Sequence, residues 1–114
     1  MLAALLGLAL VGCGGSVPPP NDQLAASQAA IRAAGEVGAE TDPQAALHLK
    51  LANEQLDQAK KLMQEGENEA ALPLLERAEA DAELALAIAK ARATQVQAQE
   101  ALKQVEQLKQ AGFK

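Results

Sequence analysis

The 114-residue sequence has no tryptophan or tyrosine, and it has one phenylalanine, one histidine and one cysteine. With almost no aromatic side chains on which bases could stack, and with a formal net charge of -5, it lacks the usual features of a nucleic-acid-binding surface. We therefore expect no nucleic-acid partner.

Catalytic residue sets are also missing from the sequence. His48 is the only histidine and Cys13 the only cysteine, so neither a Cys/His nor a Ser/His/Asp set can be assembled once Cys13 is assigned another role below. No glycine-rich phosphate loop or metal-ligand spacing occurs. The sequence predicts a protein that is not an enzyme and has no catalytic residue, metal or cofactor.

β-Branched residues are scarce. From Cys13 onward, 24 residues are alanine, whereas Val, Ile, Thr and Phe together supply nine. Strands are enriched in β-branched and aromatic residues, and helices favour alanine. The composition predicts an all-α fold.

Residues 1–12 are apolar and contain no charged side chain. Spanning a bilayer takes roughly 20 apolar residues, so this run fits the hydrophobic region of a signal peptide and not a transmembrane helix. Signal peptides normally begin with a positively charged region, so we expect the natural start to lie upstream of Met1. The run ends in four residues that resemble a bacterial lipobox: Leu10, Val11, Gly12 and Cys13.

The lipobox resemblance implies that Cys13 becomes the lipidated first residue of the mature chain. Gly14 then occupies the position where an Asp would retain many lipoproteins in the inner membrane, so the resemblance implies a lipid anchor in the outer membrane, facing the periplasm. Residues 13–21 are predicted to form a tether, flexible at its glycines and stiffer at Pro18, Pro19 and Pro20. Residues 22–114 are predicted to form the helical domain.

Turn and capping residues divide the helical domain into three helices. Asn21 or Asp22 can cap a first, short helix, and Asp42 followed by Pro43 predicts the start of the second. Gly66 and Asn68 mark the turn before the third helix. With Asn68 as its cap, Pro73 lies just past the first turn and predicts a slight kink or a start one turn late. The expected inner face of the first helix contains Leu24, Gln28, Ile31 and Gly35.

The second and third helices each show apolar residues at alternating spacings of four and three, which predicts an alanine-rich antiparallel hairpin. The seam of the second helix contains Ala45, Leu49, Ala52, Leu56, Ala59 and Met63, widened by Leu47, Leu51 and Leu62. The seam of the third contains Ala71, Leu75, Ala78, Ala82, Ala85 and Ala89, flanked by Leu74, Leu84, Leu86 and Ile88.

The third helix is predicted to be about twice as long as the second, roughly 65 Å if it runs to Ala111. Its second half then has no partner within the chain. A lone helix of this length is marginal in water, so we expect it to fray, to self-associate or to bind another envelope protein. The predicted contact residues are Ala98, Leu102, Val105 and Leu108. Lys114 is faintly similar to the C-terminal lysine by which Braun-type lipoprotein is joined to peptidoglycan, so attachment to peptidoglycan is a further alternative.

Several of these features together resemble the small helical lipoproteins of the domain of unknown function 4398 family. They are the lipobox, the sequence AAIRAA at residues 29–34, the Asp42-Pro43 restart, Gly66, and the sequence EADAE at residues 79–83. The resemblance covers residues 21–93 and implies a periplasmic lipoprotein, but no activity. We expect a structural or adaptor element of the cell envelope.

The alternative is a chaperone-like or peptide-binding module, because residues 59–78 are similar to a single tetratricopeptide-type hairpin. An exposed apolar patch between the first two helices would favour that alternative.

Overall fold

The computed structural model describes residues 15–112. Three α-helices follow one another in this part of the chain: α1 (Asn21–Glu36), α2 (Pro43–Gln64) and α3 (Asn68–Gln110). A 3-10 turn at Ala39–Thr41 lies between α1 and α2, and no strand occurs within residues 15–112. The predicted all-α fold, with a short first helix and a long C-terminal helix, is confirmed.

The start of α2 forms as predicted. Asp42 Oδ1 accepts hydrogen bonds from the backbone N–H groups of Gln44 (2.9 Å) and Ala45 (3.0 Å). Pro43 occupies the first helical position, where a missing N–H costs nothing. Two of the N–H groups that a helix leaves unpaired at its start are therefore satisfied by one side chain.

The predicted caps of the other two helices are wrong. Asn21 and Asp22 lie inside α1, which follows Pro20 directly, and no side chain caps it. The φ of Pro20 is -78°, close to the helical value, so the proline ring already sets the chain for helix entry. Asn68 is likewise the first residue of α3 and not its cap. Its side-chain amide instead donates to the Val17 carbonyl at 2.8 Å.

The inner face of α1 differs from the predicted set at Gly35, which is exposed. Ser27 and Ala34 are buried, and Leu24, Gln28 and Ile31 are half-buried. The Ser27 hydroxyl donates to the Leu24 carbonyl at 3.0 Å, so its one polar group is satisfied inside the helix. A buried Gln28 amide would have needed several partners from other helices.

The seams of α2 and α3 are confirmed. Every predicted seam residue is buried except Met63, which is half-buried. Leu47 and Leu84, predicted to flank the core, are instead exposed to 54% and 44%. Leu47 lies two residues after the seam residue Ala45. Because an α-helix has 3.6 residues per turn, this places its side chain on the side of α2 that faces away from α3.

The core consists of two apolar clusters along the bundle. One joins Ala34 of α1 to Ala45, Leu49, Ala85 and Ala89, and the other joins Leu56 and Ala59 to Ala71, Leu75 and Ala78. Leu24, near the start of α1, packs on the cluster near the start of α3, and Ala34 joins the cluster further along α3. α1 therefore runs parallel to α3, and α2 runs antiparallel to both.

Pro73 lies on the exposed surface of α3, which begins at Asn68. The prediction of a start one turn late is wrong, and the predicted kink stays a prediction. Within residues 15–112, none of the helices combines the length and the hydropathy that crossing a membrane requires.

Candidate interaction surface on the C-terminal helix

The bundle ends at Ala89, the last buried residue of α3. From residue 91 to residue 112 every position is exposed, although the helix continues to Gln110. The turn between α1 and α2 borders α3 as far as Gln97, so at 1.5 Å per residue residues 98–110 extend about 20 Å beyond the bundle. The predicted length mismatch therefore leaves half of α3 without a neighbouring helix in the described chain.

The four predicted contact residues all lie on this extension. Leu102 is 69% exposed, Leu108 57% and Val105 48%, and Ala98 is also exposed. Large apolar side chains at this level of exposure, gathered along one helix, are typical of a surface that binds a partner.

The residues that follow the α3 seam at the same spacing are mostly polar. After Ala89 these positions hold Arg92, Val96, Gln99, Lys103, Glu106 and Gln110. The face of α3 that packs on α1 and α2 therefore changes from apolar to polar where the bundle ends. The apolar residues of the extension lie on the other side of the helix.

This other side has an apolar pattern of its own, which begins inside the bundle. We call it the outer stripe; its residues follow the spacing four, three, four, three without a break, and all are exposed: Ala80, Leu84, Ala87, Ala91, Thr94, Ala98, Ala101, Val105 and Leu108. At 100° per residue it lies roughly 160° around the helix from the buried seam. Three of its residues, Ala98, Val105 and Leu108, belong to the predicted contact set, whereas Leu84 is predicted to flank the core.

A polar cluster joins α2 to α3 beside the seam. The two carboxylate oxygens of Asp81 accept hydrogen bonds from His48 Nδ1 and Gln55 Nε2, both at 2.9 Å. The side chains of His48 and Asp81 are 22% and 21% exposed. With a single histidine and no nucleophile among its members, the cluster is suited to fixing the register of the two helices.

Residues 15–112 contain no group of three or more His, Cys, Asp or Glu side chains that could hold an ion. On the extension, Glu100 and Lys103, and likewise Glu106 and Lys109, have the i,i+3 spacing that allows an ion pair on a helix, but neither pair forms one. Glu106 instead accepts a hydrogen bond from Gln110 Nε2 at 3.2 Å.

The predicted lipobox, Leu10, Val11, Gly12 and Cys13, lies outside the described residues, as does Lys114. The predicted tether is described from Gly15 onward. Its Val17 carbonyl is held by Asn68, so the tether runs beside the turn between α2 and α3. The exposed extension is therefore at the opposite end of α3 from the tether.

Comparison with known proteins gives one family. The model of the Domain of unknown function (DUF4398) matches residues 22–105, which include nearly all of α1, the whole of α2, and α3 through Val105. No curated protein and no solved structure matches the chain. Because the family model matches most of its length, the chain belongs to the DUF4398 family.

Proposed function

We propose that this chain is a lipid-anchored helical protein on the periplasmic face of the bacterial outer membrane, where it acts as a structural or adaptor element without catalysis. The observation that carries the proposal is the separation of two ends. The tether lies at one end of the bundle, and an uncovered helix with exposed Leu102, Val105 and Leu108 extends from the other.

The contacts of the tether support this orientation. The 2.8 Å hydrogen bond between Asn68 Nδ2 and the Val17 carbonyl holds the tether against the first residue of α3. From there α3 runs 43 residues, about 65 Å, with its last residues furthest from the tether. A membrane attached through the tether would therefore have the extension directed away from it.

The anchor itself is proposed from the sequence. Leu10, Val11 and Gly12 precede Cys13 as in a lipobox, and Gly14 favours the outer membrane. A signal-sequence cysteine carrying two or more acyl chains would hold the protein stably, whereas one chain would bind only marginally.

The distribution of exposed apolar residues favours the structural role over peptide binding. A peptide-binding groove between α1 and α2 should expose large apolar side chains there, and none of the large exposed hydrophobic residues of the described chain belongs to α1. The open cleft between these helices has a volume of about 280 Å³ and is lined by Leu24, Lys60, Met63 and Gln64.

Metabolic labelling with a palmitate analogue tests the anchor. The wild type should incorporate the label and sediment with outer membranes, and Cys13→Ser should do neither. Ser16→Ala, which changes a tether residue three positions away, should behave as the wild type. Equal labelling of wild type and Cys13→Ser, or an unlabelled wild type in the soluble fraction, would contradict the proposal.

Crosslinking of intact envelopes tests the adaptor role. Co-purified envelope partners should be lost when residues 98–114 are deleted and kept in the chain with Leu47→Ala, which removes an exposed leucine from α2. Release of the protein from purified sacculi only after lysozyme treatment, abolished by deletion of Lys114, would instead support covalent attachment to peptidoglycan.

A further inference from the structure

We propose that two copies of this chain pair through their outer stripes, with the two α3 helices antiparallel. The pairing deepens the proposed function, because it identifies a second copy of the chain as the partner of the exposed surface on α3. The argument for it uses only described residues of α3 and does not require the lipid anchor.

The outer stripe is accessible along its whole length. Ala80, Leu84 and Ala87 are exposed at the level of the bundle, because α1 and α2 pack on the opposite face of α3. From Ala80 to Leu108 the stripe is about 42 Å long. A second α3 can therefore lie along it without displacing α1 or α2.

The spacing of the stripe suits a helical partner. Alternating steps of four and three keep residues on the facing side of two helices that wind around each other. The buried seam of α3 has the same spacing and already packs against α2 in this way. α3 therefore has two helix-packing faces, of which the fold covers one.

Side-chain size favours the antiparallel direction. The first part of the stripe has mostly small side chains, those of Ala80, Ala87 and Ala91 around Leu84. Its last part has the larger side chains of Val105 and Leu108, with Leu102 beside them. An antiparallel pair sets the bulky end of one copy against the small end of the other. A parallel pair in register would set bulky against bulky at one end and small against small at the other.

Charge favours the same direction. Residues 68–89 carry five acidic side chains and one basic one, and residues 90–112 carry four basic and two acidic ones. An antiparallel pair places the acidic half of each α3 beside the basic half of the other, whereas a parallel pair in register places like beside like. Complementary charge of this kind selects the direction of helix pairing and suppresses the wrong one.

A two-fold axis near Thr94 relates the copies and makes the interface self-complementary. The two tethers then lie at opposite ends of the pair, about 80 Å apart if each is near Asn68. A pair anchored through both tethers would lie along the membrane surface, whereas α3 of a single anchored copy would be directed away from it. In the pair, each bundle would cover the free end of its partner.

Zero-length carbodiimide crosslinking of the full-length chain in detergent tests the proposal, using an equal mixture of unlabelled and ¹⁵N-labelled protein. Within one straight helix Lys103 is about 30 Å from Glu83, and Lys109 is further still, so no direct bond between them can form inside one copy. Mixed-isotope peptides joining Lys103 or Lys109 to Glu76 or Glu83 are the expected result. Mixed-isotope links confined to Lys103 with Glu100 and Lys109 with Glu106 would overturn the antiparallel direction, and an absence of mixed-isotope links would overturn pairing.

A matched pair of variants separates specific contact from chance collision. Val105→Glu should lower the yield of the cross-linked dimer by about tenfold or more, since it places a charge inside the stripe. Leu47→Glu, at an exposed leucine on α2, should leave the yield unchanged. Circular dichroism checks that both variants keep the wild-type helix content. Equal yields from the two folded variants would overturn the proposal, while palmitate labelling, which reports the anchor, would be unaffected.

Discussion

Asp42 shows how much a single side chain contributes at the boundary of a helix. Its Oδ1 accepts two backbone N–H groups, from Gln44 and Ala45. Asp42→Ala should lower the free energy of unfolding by about 1 kcal/mol, whereas Asp42→Asn, which keeps an oxygen acceptor, should change it by only a few tenths. Urea denaturation of a fragment of residues 15–114 measures both. An equal loss for both variants would mean that the carboxylate charge, and not the cap, carries the effect.

Two leucines of α2 form a matched comparison of burial. Leu56 is 6% exposed and belongs to the core cluster around Leu75, whereas Leu47 is 54% exposed. Leu56→Ala should cost about 2–4 kcal/mol, because it removes buried methyl groups and leaves a cavity; Leu47→Ala should cost less than about 1 kcal/mol. The same denaturation experiment compares them, and similar losses would show that the seam is misassigned.

At the level of helices, the sequence predicts the α2–α3 hairpin well because both signals are local and strong. The four-three spacing identifies the seams, and Asp42 with Pro43 identifies the start of α2. α1 is harder, since Leu24, Ser27, Ile31 and Ala34 fit helical spacing as well as the predicted set does. The burial of Ser27 depends on its bond to the Leu24 carbonyl, which composition does not reveal.

The outer stripe was only partly predicted for a similar reason. Leu84 lies between two buried residues: Ala82 is two positions before it and Ala85 directly follows it. From spacing alone an alanine-rich helix has several plausible apolar faces, and only the arrangement of α1 and α2 decides which face is covered. The candidate contact residues Ala98, Leu102, Val105 and Leu108 were predictable because they lie beyond the reach of α2.

The extension should contribute little to the stability of the bundle. None of the described residues after Ala89, 90–112, is buried, so deleting residues 98–114 removes no core contact that the structure describes. The free energy of unfolding of the fragment should change by less than about 1 kcal/mol at low protein concentration. Hydrogen exchange should show the slowest amides in residues 71–89. A loss well above 1 kcal/mol would mean that the extension stabilises the bundle directly.

At the scale of the whole molecule, the order of turns and the lengths of the helices determine the shape. The two short connections force α1 and α2 to pack on the first half of α3, and this arrangement follows from the sequence. The direction of the tether depends additionally on the Asn68 bond to Val17, a contact between residues 51 positions apart that no local pattern indicates.

The alanine core has a further consequence, for the response of this protein to temperature. Ten of the thirteen buried hydrophobic residues in the described chain are alanine, and each contributes only one methyl group beyond the backbone. Exposure of apolar surface is what raises the heat capacity on unfolding, by about 12–15 cal/mol/K per residue in ordinary domains. We expect a smaller increment here, which calorimetry on the fragment of residues 15–114 can measure. A small increment flattens the dependence of stability on temperature, so the bundle should lose stability gradually on warming and resist unfolding in the cold.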